Sequence, residues 1–173
     1  CASTSIGPLY IWRNVNGVTQ QTPDRWTGAF LKTSNNLGGG RIFVFHNTIL
    51  QPPRPPGAGP ETAGAAQGLG WGGAMVNVTS RNNILHVTRT ALRNQKGDAL
   101  GDHDYDLYSG RSAVPAGQET HGIQGIPVYA EGSGLQDGRG RFALAPASPG
   151  YDDALRLANF NDDLTGPGPD LGA

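Results

Sequence analysis

Gly40-Arg41-Ile42-Phe43-Val44-Phe45-His46-Asn47-Thr48-Ile49-Leu50 is an apolar run of β-branched and aromatic residues that ends in His-Asn and resumes with Ile-Leu, as a strand does when it meets a corner and continues. Leu9-Tyr10-Ile11-Trp12-Arg13-Asn14-Val15 has the same order upstream, and Val78-Thr79-Ser80-Arg81-Asn82-Asn83-Ile84-Leu85 repeats it downstream with a more polar approach. Self-similarity in a fixed order is the mark of a repeat architecture, in which each unit buries its apolar face against its neighbours.

A second landmark alternates with the basic-Asn step. It is a Gly-Ala strand opening at Gly28-Ala29-Phe30-Leu31 and Gly73-Ala74-Met75-Val76, with a weaker copy at Gly97-Asp98-Ala99-Leu100. Asn14 to Asn47 is 33 residues, Asn47 to Asn82 is 35 and Asn82 to Asp104 is 22. If 22 is the minimal turn, the first turn carries 11 extra residues and the second 13. The extras fall at about 35–40 and 51–71, the latter opening with the proline run Pro52-Pro53-Arg54-Pro55-Pro56, which lacks the N–H groups of a strand and so reads as a surface loop. Short strands with length variation confined to corners predict an all-β, parallel β-solenoid of few coils over residues 1–110, with an irregular C-terminal capping segment over 111–173. Stacked corner asparagines then form a ladder, expected at Asn14, Asn47 and Asn82. Trp26 and Trp71 precede equivalent strand openings and are expected on one side of the coil.

Composition agrees. The 173 residues fit one domain, and 27 Gly and 13 Pro with only 16% charged residues favour turns and short strands over helices. A net charge of −1 gives no electrostatic attraction for nucleic acid or an acidic membrane surface. No apolar run approaches the ~20 residues of a membrane-spanning helix. Cys1 is the only cysteine, which rules out an internal disulfide. With no initiator Met, the chain reads as a processed piece of something longer. Cys1-Ala2-Ser3 also fits a lipoprotein start, and an N-terminal Cys nucleophile is a third reading.

Three motifs taken in order carry a resemblance: His46-Asn47-Thr48, Arg81-Asn82-Asn83-Ile84-Leu85 and Asp104-Tyr105-Asp106-Leu107-Tyr108. With the ending Asn159-Phe160-Asn161-Asp162-Asp163 and Pro169-Asp170-Leu171-Gly172-Ala173, they resemble the final coils of right-handed parallel β-helix proteins of the pectate-lyase-like superfamily. Asp106 stands where relatives often have Asn. The resemblance implies a secreted or cell-surface bacterial protein, often a polysaccharide lyase, glycoside hydrolase or epimerase. It also implies upstream coils of a longer parent chain, which would carry most of the catalytic set and leave this chain the last coils and part of the groove wall. Non-catalytic structural or adhesive surface solenoids belong to the same group, and fold alone does not choose.

On the lyase reading, Lys32, Arg41, His46 and Arg81 are the candidate catalytic residues, as base or as cation beside a uronate carboxylate. Arg13, His46 and Arg81 are expected at equivalent repeat positions, forming a row suited to an anionic polymer; solvated corner positions are the plainer reading of that row. Trp26 and Trp71 are candidates for stacking on sugar rings, or else pack the loops onto the coil. His86 completes the substrate-binding set. Asp98, Asp102, Asp104 and Asp106 are the candidate ligands for Ca²⁺; the favoured reading of Asp104-Tyr105-Asp106 is a corner with turn-capping carboxylates. Asp152-Asp153 and Asp162-Asp163 lie in the cap, away from any groove, and His103 and His121 lack the spaced partners of a zinc site.

Overall fold

The computed structural model describes residues 7–17, 29–33, 41–51, 67–71, 78–87, 90–94, 101–130, 142–164 and 166–172. Among these residues the chain is all-β, without helices. The strands are β1 (Leu9–Trp12), β2 (Val15–Gly17), β3 (Ala29–Thr33), β4 (Ile42–Phe45), β5 (Thr48–Gln51), β6 (Gln67–Trp71), β7 (Val78–Arg81), β8 (Ile84–Val87), β9 (Thr90–Asn94), β10 (Asp102–His103), β11 (Leu107–Tyr108), β12 (Arg111–Ala113) and β13 (Ile123–Gln124). They form three parallel sheets: sheet 1 is β1-β4-β7-β10, sheet 2 is β2-β5-β8-β11-β13 and sheet 3 is β3-β6-β9-β12. Each step between neighbours advances three strands along the chain, except from β11 to β13. This order is compatible with stacked turns of three strands each. The pairing continues through β12 and β13, beyond the expected boundary at residue 110. Gln51 and Gln67–Trp71, expected in the second loop, are strand; residues 52–66 and 35–40 lie outside the described residues.

Register corrects the sequence alignment by one residue in the third turn. Trp12 stands beside Phe45, and Phe45 beside Arg81. The corner residues that follow are therefore Arg13, His46 and Asn82, with Tyr105 in the fourth turn. All four adopt the left-handed conformation, with φ of 50° to 60°, which only Asn among them adopts readily. What holds them there is the residue after each. Asn14 Nδ2 donates to Asn47 Oδ1 at 2.9 Å, Asn47 Nδ2 to Asn83 Oδ1 at 2.9 Å, and Asn83 Nδ2 to Asp106 Oδ1 at 2.8 Å. The backbone N–H of each donor residue bonds the same oxygen. The ladder is thus Asn14, Asn47, Asn83 and Asp106, not Asn14, Asn47 and Asn82. Likewise β3 aligns with Gln67–Trp71, which puts Trp71 opposite Thr33 rather than in register with Trp26. Trp26, Gly73-Ala74-Met75-Val76 and Gly97-Asp98-Ala99-Leu100 lie outside the described residues.

Two apolar clusters follow from the period-2 alternation of the strands. Val44, Ile49, Leu69, Val78, Leu85, Val87, Ala91 and Leu92 pack between the three sheets. On the opposite face of sheet 2, Leu50, Ile84 and Leu107 pack against Tyr129, Phe142, Leu144, Ala154 and Leu171. The C-terminal segment therefore lies along the outer face of sheet 2. The expected cap over the last coil is instead a lateral cover of irregular turns. Each Leu or Ile so buried contributes about 2 kcal/mol. The cover ends in a tight fit: Gly172, at φ 87°, would place a Cβ 2.5 Å from Thr48 Oγ1 and 2.6 Å from Ile84 Cδ1, so only glycine is accommodated there.

Candidate functional site

Sheet 1 points Ile11 and Val44 inward, so Tyr10, Trp12, Phe43 and Phe45 point outward. Register sets Tyr10 beside Phe43 and Trp12 beside Phe45. Tyr10 lies flat on Phe43, with centroids 5.0 Å apart and planes at 15°. Phe160, from the C-terminal segment, stands edge-on to Trp12 at 5.4 Å and to Phe45 at 5.0 Å. Phe45 is covered, yet Tyr10 is 54% and Trp12 41% exposed. Cations flank this platform. The Arg13 guanidinium lies 5.0 Å over the Trp12 ring and bonds Asp163 at 3.0 Å. Arg41, two residues before Phe43 in the same alternation, is exposed.

In the third and fourth turns the same face becomes polar. Arg81 donates to the Ser80 and Asp102 carbonyls at 2.7 and 2.8 Å and pairs with the Asp102 carboxylate. Asp104 takes the His121 backbone N–H at 2.7 Å and the His121 Nδ1 at 2.8 Å, while the His121 ring stacks on Tyr105 at 4.6 Å. Burial alone would raise the Asp104 carboxyl, but the hydrogen bonds from His121 and Tyr105 outweigh it and hold it below the usual carboxylate range.

Behind the platform sits the second corner, where His46 is 3% exposed. Its Nε2 receives Asn82 Nδ2 at 3.0 Å and Asn161 Nδ2 at 2.9 Å, and its Nδ1 lies 3.2 Å from the Gly172 carbonyl. Two amide donors on one nitrogen and a carbonyl on the other fix the neutral tautomer with its proton on Nδ1. Burial pushes the imidazole down to about 4, and the nearby Arg13 charge acts in the same direction, against the Gly172 carbonyl. A cleft of about 340 Å³ opens beside it, lined by Arg13, Asp152, Asn161, Asp163 and Asp170 among others.

At the foot of the ladder, buried Asp106 also accepts from Ser80 Oγ at 2.7 Å, and Ser80 Oγ contacts His103 Nδ1 at 2.8 Å. Its backbone N–H reaches Glu119 Oε2 at 3.4 Å. Burial, then the charge of Asp106, pushes the Glu119 carboxyl up to about 10, and burial raises Asp106 as well. The pair holds a proton at neutral pH.

The expected site residues do not form one constellation. Arg41 stands on the aromatic face, and Arg13 stands at its corner. Arg81 shares the face but is tied to Asp102, and it falls one residue out of the row expected with Arg13 and His46. His46 is buried behind the face with both ring nitrogens engaged. His86 lies on sheet 2, where its ring packs tilted at 30° against Tyr129, centroids 6.1 Å apart, beneath the C-terminal cover. Lys32 and Trp71 lie in sheet 3, their side chains outside what is described. Asp98 lies outside the described residues. Asp102, Asp104 and Asp106 are committed to Arg81, His121 and the ladder respectively. No three His, Cys, Asp or Glu converge as metal ligands among the described residues, which do not include Asp98. No described helix is long and apolar enough to cross a membrane.

Tyr10, Trp12, Phe43 and Phe160 were missing from the sequence-based set. Their signal is visible in Leu9-Tyr10-Ile11-Trp12 and Ile42-Phe43-Val44-Phe45, where both phases of the alternation are apolar. One phase fills the interior, so the other needs a cover or a ligand. No protein-family model, curated protein or solved structure matches this chain.

Proposed function

We propose that this chain belongs to a secreted or cell-surface carbohydrate-active protein, built as a right-handed parallel β-helix of the pectate-lyase-like kind, that binds an acidic polysaccharide along the outer face of sheet 1. The aromatic platform carries this reading. Flat, half-exposed rings suit the apolar faces of pyranoses, and Arg13 and Arg41 at its borders suit carboxylates. Lyase-type β-elimination is the reaction class for such a polymer: a base removes the proton beside the uronate carboxylate while a cation neutralises the carboxylate. Arg41 is the cation placed for this. Among the described residues no strand pairs with the outer edges of β1, β2 and β3, and upstream coils of a longer parent chain would fit there and complete the groove.

The immobilisation of Arg81 and His46 favours a second reading, a non-catalytic carbohydrate-binding surface solenoid. One pair of measurements separates the two. Trp12→Ala is expected to weaken retention on pectate or alginate in affinity electrophoresis by about tenfold, the worth of one good aromatic contact; unchanged retention would remove the platform from the argument. Ultraviolet absorbance of unsaturated uronates then reports elimination. Retention without product selects the non-catalytic reading, and product lost in Arg41→Ala selects the lyase.

A further inference from the structure

Phe160 stands on the platform that a sugar would occupy, and the loop that carries it is fastened behind that platform through Asn161 and Asn82 and at its end by the Arg13–Asp163 pair. Asn161, the next residue, donates to His46 Nε2 at 2.9 Å. The same amide donates to the Leu155 carbonyl at 2.9 Å, and its Oδ1 receives the Leu157 N–H at 2.7 Å. Asn82 is arranged alike: Nδ2 donates to His46 and to the Leu155 carbonyl, and Oδ1 receives the Leu155 N–H at 2.9 Å. Neither amide can turn its oxygen toward His46 without losing two backbone partners. Both present N–H to the ring, and only an unprotonated Nε2 accepts them.

We propose that residues 155–163 form an acid-opened latch over the aromatic face: neutral His46 holds it shut, and protonation of Nε2 sets three N–H groups against one another and frees Phe160 from Trp12 and Phe45. The gating half of this inference rests on the polysaccharide reading; the latch itself does not. The titratable and charged side chains that line the same cleft are Arg13 from the first corner, and Tyr151, Asp152, Asp163 and Asp170 from the C-terminal segment. Asp163 is held low by its bond to Arg13, so that tie persists below the pH at which an ordinary carboxylate is half-protonated. The burial-depressed imidazole sets the opening in the region of pH 4 rather than 6.5.

The test is amide hydrogen exchange on the full chain, expressed as protection factors to remove the intrinsic pH dependence. Leu155, Leu157 and Gly172 report the latch, with Ile84 and Leu107 as internal controls. Between pH 6.5 and 4 the latch protections are expected to fall at least tenfold while the controls hold. His46→Asn keeps a residue tolerant of the left-handed corner and removes the titration, so its latch protections should not change over that range. Constant protection in the wild type, or an equal fall in His46→Asn, overturns the latch. If that variant does not fold, the His46 ring and the latch amides of the wild type are titrated by NMR, and differing midpoints overturn it. For gating, the probe is an oligogalacturonate. Phe160→Ala is expected to bind it severalfold tighter at pH 7 and to lose the acid enhancement seen in the wild type. Weaker binding would make Phe160 part of the platform and overturn the gate. A latch that opens while no variant binds would sink the polysaccharide reading and leave the latch standing.

Discussion

The Asn14-Asn47-Asn83-Asp106 ladder and the His46 latch are both built largely from carboxamides with every amide donor used, buried except at Asn14, yet they differ in what they depend on. In the ladder each asparagine bonds the next turn, and Asn47 and Asn83 also reach a carbonyl of the turn before: Asn47 Nδ2 the Ile11 carbonyl at 2.9 Å, and Asn83 Nδ2 the Val44 carbonyl at 2.8 Å, while Asn14 Nδ2 bonds the Trp12 carbonyl of its own turn. None of its three asparagines titrates, and backbone bonds such as Thr48 N–H to the Asn14 carbonyl run alongside every rung. In the latch, Asn82 and Asn161 converge on one lone pair. Saturation alone therefore says little about permanence; the number of protons on which a network depends says more.

Breaking the ladder should have the largest effect. Asn83→Ala leaves Asp106 short of a charge-assisted donor and strands the Asn47 amide, and is expected to cost about 3–4 kcal/mol in urea unfolding. A cost below ~1 kcal/mol would mean that the backbone stitches suffice without it. The latch comes next, and its sign is fixed. A histidine whose pKa falls on folding adds stability above its unfolded value of about 6.5 and loses it as pH falls toward its folded value of about 4. The stability difference between wild type and His46→Asn should accordingly shrink by on the order of 3 kcal/mol across that window. A difference that does not vary with pH would show that the imidazole is not the group in control.

Gly172→Ala tests the latch by sterics rather than by charge. With a positive φ and Thr48 Oγ1 and Ile84 Cδ1 in the way, it should cost about 2 kcal/mol and loosen Leu171 and Gly172 in hydrogen exchange before it loosens Leu107. The smallest effect is expected at the ladder's foot. Glu119 is held protonated, so Glu119→Gln keeps its shape and should change stability by less than ~1 kcal/mol below pH 4.5, where the unfolded carboxyl carries its proton too. The pH dependence should change more. A carboxyl raised from 4.5 to about 10 contributes stability below its unfolded pKa and loses it as pH climbs, a decline that the Gln variant should lack. The two proton-dependent sites thus pull stability in opposite directions as pH rises.

Strand order and corners were legible because two local rules repeat: alternation sets each strand, and a left-handed residue followed by Asn sets each corner. The slip at Arg81-Asn82-Asn83 arose because two adjacent asparagines both fit. Only the inward phase of β7, which buries Ser80, decides that Asn83 enters the ladder and leaves Asn82 to the latch. The Gly-Ala landmark misled for a different reason. The glycine that sheet 3 needs is Gly68, where a Cβ would fall 2.5 Å from the Ala91 carbonyl, and its neighbours do not copy Gly28-Ala29. The aromatic face could have been read from the doubled apolar phase of β1 and β4. The latch could not, because Asn161 and His46 are 115 residues apart and neither carries a local pattern that anticipates the other.

The ladder also has a grammar. An asparagine both receives and gives, so each rung repeats the instruction to the one beside it, and such a series has no internal reason to stop. Asp106 receives from Asn83 and Ser80 but has no amide with which to continue, and Glu119 closes over it with the missing proton. A single exchange of nitrogen for oxygen thus acts as punctuation, ending the side-chain ladder from inside the fold while the backbone pairing runs one strand further, with the Ile123 N–H on the Asp106 carbonyl at 2.9 Å.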